Sequence, residues 1–517
     1  MSFSGVDGKT DLKNGIVAKT SFDGTGIDIK APGNMKILFS ENKPENVQIA
    51  GDFFIAETEK GICKAVFLDV YHLLIAGDCN VRDGDDSLEI MSKGNRTLIG
   101  TKTKFDCLKI DADIDLAIEN RKSWLKSVQV PENLSENTSK TLAKALSMMK
   151  NQVYTPEGQI TTRWTSPDKW PHKYMWLWDS VFHAIGLRHI DSQLAREAID
   201  AVLCTQKPDG MISHCMEPDN QSDITQPPVL ALGVKLVNEV INDTDWIKEV
   251  YPKLCKYIQW DIDNRDSDNN NLVEWDIEAN EVCRSGESGM DNSPRFDSAT
   301  QLDATDFNSF LALECEILAE FADMLELEED KVYWQSKHKT ICEAMNEKLW
   351  NDKSHFYVDF DLATQKQTPI LASSGFLPLI CGAPSLEQAK ELVNHLSNED
   401  TFRTEIPVPS IAKCCSDFYS KDMWRGPVWI NINWLIAFGL KRYGFNTEAE
   451  QLLKETTKLI EQRYLESGTI FEFYDDKDET APPDLLRKGE NVSGSPFNQV
   501  IHDYGWSATL YTDIIFC

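Results

Sequence analysis

The sequence predicts a mainly α-helical protein, an α/α toroid preceded by a small antiparallel β domain. From about residue 136 onward, apolar residues recur near positions i, i+3, i+4 and i+7, and no β-type run separates these segments. Before residue 118, short β-type runs alternate with turn residues. About a dozen helices in one continuous run are typical of a toroid, in which function lies on the loops at one end.

The amino-terminal part contains β-type runs such as Met35–Phe39, Val47–Ala50 and Lys64–Val70. All fourteen Trp residues lie after it, from Trp124 onward. This shift in composition predicts an accessory β domain at 1–118, a linker at 119–135 and a helical domain at 136–517.

The helical pattern predicts where the helices of the toroid lie. A helical solenoid is the structural alternative, but the segments show no fixed sequence period of the kind that repeats leave. The predicted helices are 137–151, 178–190, 192–206, 229–242, 245–263, 303–325, 328–349, 385–397, 427–443, 446–464 and 500–516.

Composition limits the possible partners. The chain has 83 acidic and 52 basic residues and a formal net charge of −31, which argues against nucleic acid or an anionic membrane surface as a partner. A neutral small molecule is easier to accommodate. The thirteen Cys residues are scattered and lack metal-ligand spacing, and no stretch of about 18 apolar residues occurs. We therefore expect a soluble cytoplasmic protein with reduced thiols, and the oligomeric state is left open.

The segment Glu287–Asp297 is the strongest candidate for a catalytic loop. Gly289 and Pro294 bracket Asp291, which indicates a loop, and Arg295 follows closely. A loop carboxylate beside an arginine and aromatic residues is suited to general acid catalysis, with a pKa raised by partial desolvation. An exposed acidic turn is the alternative.

Two further loop regions carry side chains suited to sugar binding. Trp176, Trp178 and Asp179 open a predicted helix, where aromatic rings can stack on sugar faces and a carboxylate can accept hydrogen bonds from hydroxyl groups. Core packing of the two tryptophans is equally compatible with the pattern. His214 and Gln226 lie in loop-like segments and each offers one polar group.

The carboxy-terminal third repeats this mixture of aromatic and polar residues. Trp424, Arg425, Trp429 and Asn433 lie where a loop joins a helix, and a buried arginine there needs a carboxylate or sugar hydroxyls as partners. Glu472 stands between two phenylalanines, and Trp506 closes the segment His502–Trp506. On a strand-like piece Glu472 points away from its aromatic neighbours, so the pattern does not require its burial.

Together these segments resemble glycoside hydrolase family 63 and its relatives. That group includes processing α-glucosidases, the mannosylglycerate and glucosylglycerate hydrolases and, more distantly, the inverting trehalases. The resemblance implies an (α/α)6 barrel, with Asp291 as general acid and Glu472 as general base. Residues 1–118 carry no such signature and fit the accessory domain of many relatives. The motifs that carry the resemblance are Trp176–Asp179, Thr225–Pro228, Glu287–Arg295, Trp424–Trp429 and Phe471–Asp475.

The segment Asp266–Glu274 predicts a structural calcium site. Oxygen-bearing side chains at Asp266, Asp268 and Asn270, the carbonyl of Leu272 and the carboxylate of Glu274 imitate the first part of an EF-hand loop. The loop departs from that pattern, because Asn271 stands where the invariant glycine is expected and Ile277 occupies position twelve. A solvated polar turn is the alternative.

We therefore predict an inverting α-glycosidase that acts on a small α-glucoside or α-mannoside and needs no cofactor for its chemistry. A trehalase-like hydrolase and a phosphorylase on the same fold are the enzymatic alternatives, although phosphorolysis requires a basic anion pocket and no Lys/Arg cluster stands out in these loops. A non-catalytic carbohydrate-binding protein is the third reading, and it is disfavoured because both acids are present. The predicted sugar-binding set is Trp176, Trp178, Asp179, His214, Gln226, Arg295, Trp424, Arg425, Trp429, Asn433 and Trp506.

Overall fold

A computed structural model describes residues 1–21, 23–278, 283–490 and 497–517. The amino-terminal region forms two antiparallel sheets. The strands are β1 (Val17–Thr20), β2 (Gly26–Ala31), β3 (Met35–Leu38), β4 (Glu45–Ile49), β5 (Phe53–Thr58), β6 (Gly61–Asp69), β7 (His72–Ala76), β8 (Asn80–Arg82), β9 (Leu88–Lys93) and β10 (Arg96–Thr101). One sheet has the order β1-β2-β3-β8 and the other the order β4-β5-β6-β7-β10-β9.

Both faces of the larger sheet carry buried apolar side chains. Phe54 and Phe67 face the smaller sheet, whereas Phe53 and Val66 face a different apolar cluster. Neighbouring residues of a strand point to opposite faces, so each strand contributes to both cores. The second face is covered by helix α1 (Ile114–Ser127), through residues such as Ile114 and Ile118.

The remaining helices form the barrel. They are α2 (Glu136–Asn151), α3 (Leu177–Leu187), α4 (Ser192–Leu203), α5 (Leu230–Ile241), α6 (Thr244–Arg265), α7 (Thr305–Met324), α8 (Glu328–Lys348), α9 (Pro378–Cys381), α10 (Leu386–Ser397), α11 (Ile430–Arg442), α12 (Asn446–Ser467) and α13 (Gly505–Phe516). Their positions confirm the predicted helices to within a few residues at most ends. Short strands of two or three residues lie in the connecting loops.

Contacts between the helices close into a ring. Each of α3, α5, α7, α9, α11 and α13 contacts the next, and α13 returns to α3. The even-numbered helices α2, α4, α6, α8 and α12 pack outside this ring. The inner helices are apolar almost all round, and all of α3 is buried, as expected for helices enclosed by others. The fold is the predicted (α/α)6 barrel.

Inner helices begin at loops that carry the candidate residues. Asp179 is in the first turn of α3, Trp429 immediately precedes α11, and Tyr504 immediately precedes α13. The free amides at the start of α5 bond to another inner helix. The carboxylate of Glu314 in α7 accepts hydrogen bonds from the amides of Ala231 and Leu232. The amino-terminal ends of α3, α11 and α13 therefore meet at one end of the barrel.

The predicted linker 119–135 has structure of its own. Its first part is the second half of α1, and Ser135 caps α2 by accepting a hydrogen bond from the amide of Thr138. The boundary at residue 118 thus falls inside a helix, and the division into domains stays a prediction. Within the described residues, no helix combines the length and the apolar character that crossing a membrane requires.

Candidate active site

A cavity of about 370 Å³ opens at the amino-terminal ends of the inner helices. This is within the usual size range for a small-molecule site. Ten of the predicted residues line it: Trp176, Trp178, Asp179, His214, Gln226, Asp291, Trp424, Trp429, Glu472 and Trp506. Loops that are far apart in the chain thus converge on one space.

Aromatic rings form much of the wall. Trp424 and Trp429 are stacked, with ring centroids 3.8 Å apart and planes 2° from parallel. Trp506 packs edge-on against Trp178 at 5.2 Å and lies 5.8 Å from Trp429. The sequence left core packing and sugar binding open for tryptophan. These rings are compatible with both, because they are buried in the core and also line the cavity.

Several buried polar atoms of the wall have no hydrogen-bond partner among the residues that the structure describes. They are the indole nitrogens of Trp176, Trp424 and Trp506 and one carboxylate oxygen of Asp179. A buried donor or acceptor without a hydrogen bond is costly, so such atoms indicate where a ligand or water binds. Three donors and one acceptor around one cavity are suited to a molecule rich in hydroxyl groups.

Asp179 is held on α3 at the floor of the cavity. Burial raises its pKa well above the ordinary value for an aspartate, and the nearby carboxylates of Asp168 and Glu472 add to the effect. Tyr504 provides a hydrogen bond to it that opposes the shift. Gln226 supports the same turn, since its side-chain oxygen accepts a hydrogen bond from the amide of Trp178 at 3.2 Å.

The loop that carries Asp291 is held by a buried ion pair. Glu287 accepts hydrogen bonds from the amides of Thr225 and Asp276 and from the guanidinium of Arg265. Gly289 has a φ of +67°, and a Cβ at this position would lie 2.4 Å from the ring of Trp178. The loop therefore needs glycine there, both for its backbone conformation and for its close approach to the tryptophan.

Asp291 lies at the cavity, with its carboxylate 2.9 Å from the ammonium group of Lys488. Burial pushes its pKa upward, but Lys488, with a further contribution from Arg487, holds the pKa below its ordinary value. The expectation of a raised pKa was therefore wrong. The prediction considered desolvation and took no account of a lysine far along the chain.

Glu472 is buried on the same cavity, although the strand pattern did not require burial. Its two carboxylate oxygens accept hydrogen bonds from the Arg487 guanidinium at 2.9 and 3.1 Å. The amide of Ile501 donates a third, longer bond of 3.3 Å. This bidentate pairing fixes the orientation of the carboxylate.

The histidines at the rim form an aromatic edge. His172 packs edge-on against Trp176, and its Nδ1 lies 2.9 Å from the carboxylate of Asp168. His214 packs edge-on against the other side of Trp176, at 5.0 Å. Burial lowers the pKa of His214 to about 4, so this imidazole is neutral near pH 7.

Three of the predicted sugar-binding residues do not line the cavity. Arg295 is fully buried and bonds to Asp306 at 2.8 and 2.9 Å and to Asp359 at 2.7 Å. Arg425 binds both oxygens of Asp297.

Asn433, the third of these residues, donates to the carbonyl of Pro407 and to Thr456. The physical reason for all three departures is the same, because N–H groups of each side chain donate hydrogen bonds to other residues of the protein. Arg425 still ties the Asp291 loop to the Trp424 loop, as it also bonds to the carbonyl of Asn292.

Several lining residues with titratable side chains were not predicted as site residues from the sequence: His172, Glu278, Cys283, Arg487, Lys488 and Tyr504. The statement that no Lys/Arg cluster occurs in these loops was wrong, since Arg487 and Lys488 are adjacent and both reach the cavity. The adjacency of two basic residues in an acidic chain was the available signal. Each is bonded to a carboxylate, so together they do not form an open anion pocket.

The predicted calcium loop places three carboxylates together. Oxygens of Asp266, Asp268 and Glu274 lie within 4.8 Å of one another. Asn271 has a φ of +68°, which an asparagine tolerates, so it can replace the glycine of the EF-hand pattern.

Other contacts in this loop compete with a metal ion. The amides of Asn270 and Asn271 bond to Asp266, and the side-chain oxygen of Asn270 accepts from the amide of Leu272. The Lys348 ammonium lies 3.8 Å from Asp268. The three carboxylates fit a hard cation, whereas the side-chain oxygen of Asn270 is already bonded to the amide of Leu272.

Comparison with known proteins identifies the family. The model of the mannosylglycerate hydrolase MGH1-like glycoside hydrolase domain matches residues 172–507. The chain belongs to this family. Mannosylglycerate hydrolase MGH1 of Selaginella moellendorffii is 26% identical over 396 residues, covering 60% of this chain and 77% of that protein. The mannosylglycerate hydrolase of Thermus thermophilus is 27% identical over 384 residues, covering 58% and 89%.

A solved structure agrees with this assignment. The GH63 mannosylglycerate hydrolase of Thermus thermophilus, in complex with glucose, matches with a TM-score of 0.60 and 24% identity, over 72% of this chain and 99% of that one. At this identity the likeness is one of fold. As a member of the MGH1-like family, the chain is a glycoside hydrolase, which confirms the predicted enzyme class.

Proposed function

We propose that this glycoside hydrolase is an inverting enzyme that cleaves a small α-mannoside or α-glucoside, with Asp291 as general acid and Glu472 as general base. The observation that carries the proposal is the convergence of these two carboxylates on one cavity, whose wall has hydrogen-bonding atoms without partners in the described part of the chain. The names of the relatives favour glycosides of glycerate as the first substrates to test.

The proposed reaction is a single displacement at the anomeric carbon. Asp291 gives its proton to the leaving oxygen while Glu472 takes a proton from the attacking water. Inverting enzymes hold such a pair about 6.5–9.5 Å apart to leave room for that water. The two hydrogen bonds from Arg487 keep the Glu472 carboxylate in one orientation for this step.

Sugar recognition falls to the unpartnered atoms of the wall. The indole N–H groups of Trp176, Trp424 and Trp506 would donate to hydroxyl oxygens, and Asp179 would bind hydroxyl groups at its free oxygen. Gln226, His214, Trp178 and Trp429 complete the proposed sugar site. Binding would remove the cost of leaving these groups unpaired, which favours a sugar over an apolar ligand.

A substrate panel tests the proposal. α-Mannosides, α-glucosides, trehalose and glycosylglycerates should be incubated with the enzyme and free sugar measured. Release of sugar from a mannoside or glucoside supports it. Cleavage of trehalose alone would favour a trehalase-like hydrolase, and cleavage only with added phosphate would favour a phosphorylase. No cleavage would favour a non-catalytic carbohydrate-binding protein. Proton NMR in the first minutes should show the β-anomer first, and an α-anomer would contradict inversion.

Two variants test the assigned roles. Asp291→Asn and Glu472→Gln keep the shape of each side chain and remove its proton chemistry, so turnover should fall by roughly 10²–10⁴-fold. Melting temperatures should stay close to that of the wild type. Asp352→Asn, at an exposed turn, is the matched control. Near-normal turnover in either site variant would remove that residue from the proposed mechanism.

We also propose that the loop 266–274 binds calcium for structure and takes no part in the chemistry. Asp266, Asp268 and Glu274 would supply the carboxylate oxygens that such an ion prefers. The carbonyl of Leu272 and the side chain of Asn270 complete the predicted ligand set, the latter after a rotation that releases its present bonds.

A further inference from the structure

Lys488 is paired with the carboxylate proposed as the general acid. Its ammonium is 2.9 Å from Asp291, and its side chain is mostly buried. The amide of Gly489 donates to the carboxylate of Asp422 at 2.9 Å, and the amide of Lys488 binds the same group. The backbone is therefore held, and the part of Lys488 that can move is its flexible side chain.

This contact opposes the role proposed for Asp291. A general acid must carry a proton, but a lysine at hydrogen-bond distance favours the ionised carboxylate. Among the described residues, the thiol of Cys283, the Arg487 guanidinium and the neutral imidazole of His214 also interact with Asp291, and the carboxylate of Glu278 lines the same cavity. Burial alone would raise the pKa of Asp291, so its two basic neighbours determine the direction of the shift.

The position of Lys488 relative to the reacting bond follows from the chemistry. Asp291 must reach the glycosidic oxygen, so a cation bonded to Asp291 lies beside the leaving group. In a glycoside of a small hydroxy acid, the carboxylate is only a few bonds from that oxygen. A bound substrate of this kind therefore brings a second carboxylate within reach of the Lys488 ammonium.

We propose that Lys488 is a positioning residue that changes its counter-ion when substrate binds. The inference rests on the proposed function. The carboxylate of the aglycone takes over the ion pair with Lys488, and Asp291 then takes up one proton from solvent. Asp291 passes this proton to the leaving oxygen as the glycosidic bond breaks, while water supplies the new bond and gives its proton to Glu472. An uncharged aglycone leaves Lys488 on Asp291, so the acid stays unprotonated.

Kinetics with a matched substrate pair test the exchange. The pair is a glycosylglycerate and the glycosylglycerol with the same sugar, which differ only in the carboxylate. The wild type should favour the acid by on the order of 10–100-fold in kcat/KM, the range for a hydrogen bond between charged groups. Lys488→Met should bring the ratio toward one, and Lys488→Arg should keep most of it. Lys93→Met removes an exposed ion pair far from the site and should change nothing.

The pH profile separates this role from a structural one. Without the lysine, burial determines the pKa of Asp291, which should rise. The alkaline limb of kcat/KM for the uncharged glycoside should therefore move to higher pH in Lys488→Met. An unchanged limb, or an unchanged preference for the acid, would overturn the proposal.

Proton uptake gives a test that needs no catalysis. Glycerate should be titrated into the enzyme by calorimetry at pH 6 in buffers of different ionisation heat. The wild type should take up protons as glycerate binds, and Lys488→Met should take up fewer. Binding of glycerate without proton uptake in the wild type, or failure to bind, would overturn the exchange even if glycosides are cleaved. If the substrate panel fails, this measurement still decides the role of Lys488.

Discussion

Four basic side chains in and near the loops of the cavity are bonded to carboxylates. Arg487 and Lys488 meet Glu472 and Asp291 at the cavity, while Arg295 meets Asp306 and Asp359 behind it. A buried ion pair is stable only when both partners remain. The same kind of pairing therefore orients the proposed acid and base at the cavity and holds the loop together behind it.

Arg295→Met tests the structural role. The change leaves Asp306 and Asp359 buried without their cation, and breaking such a pair costs about 3–5 kcal/mol. Urea unfolding should show this loss of stability, while KM of the folded enzyme should change little. Arg425→Met removes a more exposed arginine and should cost less. A large rise in KM with normal stability would return Arg295 to the sugar site.

The residue scale also shows what the sequence could and could not predict. Trp176 and Asp179 lie at the cavity, and the sequence pointed to them because they stand in a short motif at a helix start. Arg487 was missed because it pairs with Glu472 across 15 positions of irregular chain. Hydrophobic periodicity does not predict which side chains pair across an irregular segment. Arg295 was assigned to the cavity from its neighbour Asp291, although its side chain turns to the other side of the loop.

At the scale of elements, the loop 283–297 depends on one backbone conformation. Gly289 has a positive φ and touches Trp178, which itself packs on Trp506. A displacement of the loop would therefore also move Trp178 and Trp506, which belong to the proposed sugar site.

Gly289→Ala is expected to impair both folding and turnover. A non-glycine residue in this conformation costs of order 1–3 kcal/mol, and the new Cβ collides with the indole ring. The melting temperature and kcat should both fall, because Asp291 is displaced. Gly468→Ala is a suitable control, since Gly468 also has a positive φ but open space around it. Equal effects of the two changes on kcat would contradict a role for the Trp178 contact.

The loop 266–274 provides the second prediction at this scale. Added Ca²⁺ should raise the melting temperature and a chelator should lower it, because a ligand that binds only the folded state stabilises it by mass action. Asp268→Ala should abolish the response. Lys348→Met should strengthen it, since the competing ammonium is removed. A melt insensitive to chelator, with no metal in elemental analysis, would indicate a polar turn.

Element positions were easier to predict than element roles. The helices could be located because their apolar residues recur with the helical period. Closure of the inner helices into a ring was predicted from the number of helices in one continuous run and from the family resemblance, because periodicity alone does not show which helices contact one another. Helix α1 was missed as an element since only Ile114 and Ile118 are fully buried in it.

At the scale of the whole molecule, the β-rich region and the barrel share a buried charge network. Lys150 of α2 is almost fully buried and binds Asp7 at 2.7 Å, Asp52 at 2.8 Å and the carbonyl of Arg121 at 2.9 Å. Arg121 also pairs with Asp7. Residues from the amino-terminal region, α1 and α2 therefore depend on one ammonium group.

Lys150→Met should weaken the attachment of the two regions. The change leaves the carboxylates of Asp52 and Asp7 buried with less positive charge, which should cost about 3–5 kcal/mol. Tryptophan fluorescence reports only on residues from Trp124 onward, whereas circular dichroism reports on both regions. We propose that 1–118 is a separate folding unit. The unfolding transitions followed by fluorescence and by circular dichroism should then have the same urea midpoint in the wild type and different midpoints in the variant.

Lys140→Met is the matched control for this prediction. Lys140 lies on the same helix, but its ion pair with Glu136 is exposed, and such pairs contribute only about 0–1 kcal/mol. Coincident transitions in Lys150→Met, shifted together to lower urea, would mean that the β region and the barrel unfold as one unit. The boundary near residue 118 would then mark a change of architecture within a single cooperative domain, consistent with α1 running through it.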